Sequence, residues 1–145
     1  MRKKKSSTAY ILSVSAVHLI HDIYAAFFAP VIPILVEKLS LNYTSIGIIS
    51  AARTLPSFFN PLLGKLLDKW QTRVFLVISP IVTSVMMSLI GYANSAYALF
   101  FILLISGFSS SLFHLQGPPS IRAVSGNKVG RGMSWFMFGG ELSRT

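Results

Sequence analysis

Apolar residues fall in four long runs, at about 9–36, 43–63, 74–93 and 96–116, separated by short polar or basic breaks. Each reaches the roughly 20 residues needed to cross a hydrocarbon core, so each predicts a transmembrane helix. A fifth run opens near Gly132 and continues through 132–145 as the start of another crossing. Residues 1–8 form a basic N-terminal tail. Ser40, Asn42 and Thr44 offer helix N-caps, and Asn94 with Ser95 makes a tight turn between the third and fourth runs. Gly117, Pro118 and Pro119 are expected to stop the fourth. Pro30, Pro33, Pro56, Pro61 and Pro80 lie inside runs, where neighbouring helices and water in cavities can satisfy the carbonyls they free.

Within the runs, polar positions recur at helical spacing. In the first, His18, Asp22, Ala25, Ala29 and Pro33 share a stripe with His21 at its edge, opposite Ile20, Ile23, Phe27, Val31 and Ile34. In the second, Arg53, Ser57, Asn60 and Gly64 align against Ile48, Leu55, Phe59 and Leu62. The fourth sets Gly107, Ser110, Ser111 and His114 against Phe101, Ile105, Phe108 and Leu112. Three polar or small-residue faces of this kind are what helices around a water-accessible pathway require. The third run has no ionisable residue, and its Ser79, Thr83, Ser84 and Ser88 suit helix packing.

Composition agrees with lipid as the solvent. Of 145 residues 52% are hydrophobic and 12% charged, about half the charge of a typical soluble domain, and mean hydropathy is +0.63. The net charge of +9 does not signal nucleic acid, because the basic residues sit between apolar runs and not on a soluble face. Arg2, Lys3, Lys4 and Lys5, then Lys65, Lys69 and Arg73, then Arg122, Lys128 and Arg131 fall on one side, and Lys38 alone on the other. This asymmetry predicts a multi-pass protein of the cell membrane with a cytoplasmic N-terminus. The basic start before Ala9–Val17 also resembles a signal peptide, but no small-residue cleavage site follows. With no cysteine, disulfides and thiolate metal sites are excluded.

A charge at bilayer depth costs at least roughly 2.5 to 3.5 kcal/mol, so ionisable residues there normally face a cavity or a partner. His18, His21 and Asp22 are proton-coupling candidates: an imidazole titrating near neutrality one turn from a carboxylate can relay a proton. The alternative is a hydrogen-bonded pair that locks two helices together. Arg53, Ser57, Asn60 and His114 are substrate-pathway candidates. Arg53 has two open roles, binding an anionic substrate or pairing with Asp22, and His114 could line the pathway or cap and snorkel near the cytoplasmic end. The spacing of His18 and His21 resembles the paired histidines of membrane di-iron desaturases. Those sites need many histidines and this chain has three, so no metal and no cofactor is expected.

Gly64-Lys65-Leu66-Leu67-Asp68-Lys69-Trp70-Gln71-Thr72-Arg73 resembles the loop between helices two and three of the major facilitator superfamily, Gly-x-Leu-Ala-Asp-Arg-x-Gly-Arg-Lys. Gly64, Leu66, Asp68, Lys69 and Arg73 match, while Gln71 and Thr72 depart. The resemblance implies that Gly64, Asp68, Lys69 and Arg73 form a cytoplasmic gating loop, with Gly64 permitting close helix contact and Asp68 pairing with Arg73. A narrower resemblance, to the fosmidomycin-resistance group, rests on His18–Asp22 followed by Pro30 and Pro33, on Gly107–His114, and on Arg122–Gly140 with its paired glycines. Drug/proton antiporters of the superfamily usually carry an arginine four residues before the helix-four glycine, where this chain has Leu103.

The resemblance implies an all-α integral membrane protein: four complete helices and the start of a fifth, part of a six-helix half of a twelve-helix fold with substrate bound between the halves. The expected function is secondary active, proton-coupled movement of a small molecule, with efflux favoured. The expected partners are that substrate, protons, lipid and a C-terminal half beyond Thr145; no enzyme activity is expected. Two other classes compete: a complete four-helix protein acting as an oligomer, like small multidrug transporters, and a non-transporting membrane subunit. The latter would have no need of His18, Asp22 and Arg53 at bilayer depth.

Overall fold

Proline placement and capping divide the apolar runs into seven α-helices in the computed structural model, which describes residues 8–70 and 73–143 and, for Lys69 and Trp70, the backbone alone. The basic cluster Arg2–Lys5, together with Gln71, Thr72 and the last two residues, lies outside the described residues.

The first run forms α1 (Thr8–Ala26) and α2 (Phe28–Lys38), separated by a turn at Phe27. Pro30 accounts for the break, since its ring clashes with the carbonyl four residues back, at Ala26, and it offers no N–H. The second run forms α3 (Tyr43–Thr54), a 3₁₀ turn at Leu55–Phe59 containing Pro56, and α4 (Asn60–Trp70). Asn42 caps α3, its Oδ1 accepting from Ser45 N at 2.7 Å. The third run forms α5 (Phe75–Leu89), extended by a 3₁₀ turn at Ile90–Tyr92. Ser95 then caps α6 (Ala96–Val124), its Oγ accepting from Ala98 N at 3.2 Å.

The expected stop at Gly117-Pro118-Pro119 does not occur, because α6 runs through both prolines to Val124. Packing outweighs the two lost backbone bonds. Ser120 Oγ donates to the Gly117 carbonyl at 2.7 Å, and Gly117, Ile121 and Phe113 are buried beside Phe136 of α7 (Val129–Leu142). Among the described residues, three helical stretches are long and apolar enough to cross a membrane: Thr8–Lys38, Phe75–Tyr92 and Ala96–Val124. Residues 43–70 are helical with a 3₁₀ break, but do not form a stretch of that kind.

Among the described residues the interior has two apolar clusters. Leu35, Ile46, Ile49, Met87, Leu99 and Leu103 pack together toward one end. Ile11, Val14, Leu76, Phe113, Ile121 and Phe136 pack toward the other. The polar residues of α1 lie between them in sequence and in space. The faces opposite the polar stripes are exposed, as at Ile20, Ile23, Phe27, Ile48, Leu62 and Phe101, and suit contact with lipid.

Candidate functional site

Asp22 lies 14 residues after Thr8 and 16 before Lys38, midway along its membrane-length stretch. Its carboxylate is the centre of the site. His18, one turn earlier on α1, places Nε2 3.3 Å from Asp22 Oδ2. From α6, His114 places Nε2 3.5 Å from Asp22 Oδ1. His21 Nε2 is 3.9 Å from the same oxygen and 3.2 Å from Ser110 Oγ. All three histidines of the chain thus surround one carboxylate.

His18 is held from a third helix. Its Nδ1 donates to the Phe136 carbonyl of α7 at 2.8 Å. A carbonyl only accepts, so Nδ1 carries a proton, and Nε2 of the neutral ring presents a lone pair toward Asp22. The Phe136 ring stacks on His18 at a centroid separation of 4.1 Å, and Phe113 stacks on His21 at 4.6 Å. Two glycines let α7 approach. A Cβ on Gly139 would meet the Ser15 carbonyl of α1, and one on Gly140 would fall 2.8 Å from His18 Nε2.

His18, His21 and Asp22 are buried, whereas His114 is open to a cavity. A space of about 320 Å³ has Asp22, Ala29, Arg53, Ser110 and His114 among its lining residues. A second, of about 450 Å³, shares Arg53, Ser110 and His114 and adds Ser57 and Asn60. Asp22 and the pathway candidates therefore meet around adjoining cavities, with His18 and His21 buried beside Asp22. His114 is not an end cap: it sits ten residues before the end of α6 and faces Asp22. Arg53 makes no ion pair with Asp22 within 4.0 Å; among the described residues its guanidinium is left to the cavity.

The wall offers both acceptors and donors. Ser50, Thr54 and Ser57 donate their hydroxyl protons back to carbonyls of their own helical stretch at 2.7 to 3.0 Å. Their oxygens remain available as acceptors, Asn60 Oδ1 is buried without a hydrogen bond, and Arg53 supplies donors.

The residues expected to form a gating loop lie elsewhere. Asp68 and Arg73 line a separate cavity of about 310 Å³ with Gln116, Pro119 and Ser120. Among the described residues they form no ion pair within 4.0 Å, and Lys69 has no described side chain. Gly64 is not the expected close-contact glycine, since an added Cβ would meet only the Leu115 side chain at 4.0 Å. That role belongs to Gly107, where a Cβ would strike the Arg53 carbonyl.

Residues 14–144 match the family profile of the Major Facilitator Superfamily. The chain belongs to that superfamily. It is 26% identical over 144 residues to the uncharacterized MFS-type transporter YfnC of Bacillus subtilis (strain 168), an alignment covering 96% of this chain and 35% of that protein. The chain thus spans about a third of the length of this curated relative. No solved structure matches it at a significant level. Superfamily membership and the three apolar stretches together mark a multi-pass membrane protein.

Proposed function

We propose that the protein carrying this chain is a secondary active transporter that moves a small molecule through the space lined by Arg53, Ser57, Asn60 and His114, coupled to protons at Asp22. The observation that carries this reading is a buried carboxylate midway along a membrane-length helix, met by three imidazoles at the wall of an open cavity. A carboxylate there is costly to keep unless its charge is used or compensated. The transporter relative supports movement of a substrate. The likeness of His18–Asp22, Gly107–His114 and the paired Gly139-Gly140 to the fosmidomycin-resistance group favours efflux. Leu103 is fully buried in an apolar cluster, so coupling at Asp22 takes the place of an arginine on α6.

The test is transport in proteoliposomes with an imposed pH gradient. Asp22→Asn keeps the side-chain shape and removes the charge, so it abolishes uphill movement while downhill exchange partly survives. An Asp22→Asn protein that concentrates substrate as well as the parent refutes the coupling role.

A further inference from the structure

The two sides of the His18–Asp22 contact are both acceptors. Nδ1 is committed to the Phe136 carbonyl, so the neutral ring turns its Nε2 lone pair on Asp22 Oδ2 at 3.3 Å, a contact that either a proton or a metal cation between the two acceptors satisfies. His114 brings a second Nε2 to within 3.5 Å of the other carboxylate oxygen. One donor atom from each of His18, Asp22 and His114 lies within 4.8 Å of the others.

From this geometry we propose that His18, Asp22 and His114 form an open, three-donor site for a divalent transition-metal ion of the Zn²⁺ type, and that the bound ion locks α1 to α6. The donor set is two imidazoles and one carboxylate, which suits such ions. With bonds of about 2.0 to 2.1 Å, neighbouring donors of a tetrahedral ion stand about 3.4 Å apart. Each imidazole Nε2 already stands at about that distance from one carboxylate oxygen, His18 at 3.3 Å from Oδ2 and His114 at 3.5 Å from Oδ1, so a small turn of the carboxylate brings one oxygen to both. The outer partner is also in place: a metal-bound imidazole usually donates its other N–H to a carbonyl or carboxylate, as His18 does to Phe136. His114 opens on the cavity, which gives the ion a way in and leaves a fourth position for water or an anion. Arg53, on the same wall, opposes a bare dication and supplies the counter-charge for an anionic co-ligand. His21 stands outside the donor set, 3.9 Å from Asp22 and engaged with Ser110.

The site goes beyond the transport reading, and binding is measured independently of transport. Untagged purified protein in nanodiscs is titrated calorimetrically with Zn²⁺. One ion per chain is expected, with Kd below about 10 µM. His18→Gln, Asp22→Asn and His114→Gln each weaken binding at least about tenfold, the scale on which even outer partners change metal affinity. His21→Gln changes it by less than about threefold, because it removes no donor. Co²⁺ added to the unaltered protein gives the visible absorption of a four-coordinate ion, lost on adding Zn²⁺, so the result does not depend on the variants folding. Absence of that absorption, or equal loss in His21→Gln and the three donor variants, overturns the site. A protein that transports under a pH gradient but binds no Zn²⁺ overturns this inference and leaves the transporter reading standing. One that binds Zn²⁺ at these residues but moves nothing supports the site and refutes transport.

Discussion

Gly107→Ala probes the closest approach between two of the helices that build the cavity. A methyl group at Gly107 would strike the Arg53 carbonyl, 2.9 Å from its carbon and 3.1 Å from Arg53 Cα. Carbon atoms settle at roughly 3.5 to 4.0 Å, so α3 and α6 must part by about 0.5 to 1 Å. No rotamer change relieves the clash, because the obstruction is backbone. Overpacking of this kind costs about 1–3 kcal/mol. Alanine also gains about 1 kcal/mol over glycine in a helix, which would mask part of the loss. Gly47→Ala in α3 has that gain without the clash, since nothing lies within 4 Å of a Cβ there. The difference between the two variants isolates the steric cost, expected at about 1–3 kcal/mol. Thermal unfolding of the purified protein in detergent, followed by size exclusion, measures it. Transport should fall further than stability does, because Arg53 moves with the displaced backbone and a shift of about 1 Å can cost up to about 100-fold in rate. If Gly107→Ala melts at the same temperature as Gly47→Ala, the close α3–α6 contact does not exist.

Gly140→Ala pushes a methyl group against the His18 ring and turns it from Asp22. Transport rates should drop about tenfold or more, while Gly130→Ala in the same helix, with open space around its Cβ, leaves them unchanged; equal rates in the two variants refute a role for the His18 orientation. The distribution of basic residues predicts that reporter fusions after Lys69 and after Asn127 read cytoplasmic and one after Asn42 reads external. A cytoplasmic signal at Asn42 would remove the crossing expected of residues 43–63.

Local periodicity carried most of the architecture. Apolar run length and the 3.6-residue repeat are properties of neighbouring residues, so the helical stretches, the Asn42 cap and the exposed Ile20, Ile48 and Phe101 faces were legible before any fold was known. The pairing of His18 with Asp22 was legible for the same reason, since residues four apart share a helix face. Other features depended on contacts between distant segments. His18 finds its carbonyl partner 118 residues away, at Phe136, and His114, for which the sequence left both pathway and capping roles open, meets Asp22 because α6 packs beside α1. Proline offered only a local preference. At Pro30 the helix breaks, whereas at Pro118 and Pro119 burial against α7 keeps it whole. Glycine is equally ambiguous along the chain, and Gly64 and Gly107 were told apart only by what stands opposite each: a side-chain methyl at 4.0 Å in one case, the Arg53 backbone in the other. Spacing along the chain singled out the residues able to hold a charge inside the membrane, but their convergence on Asp22 came from packing between helices far apart in sequence.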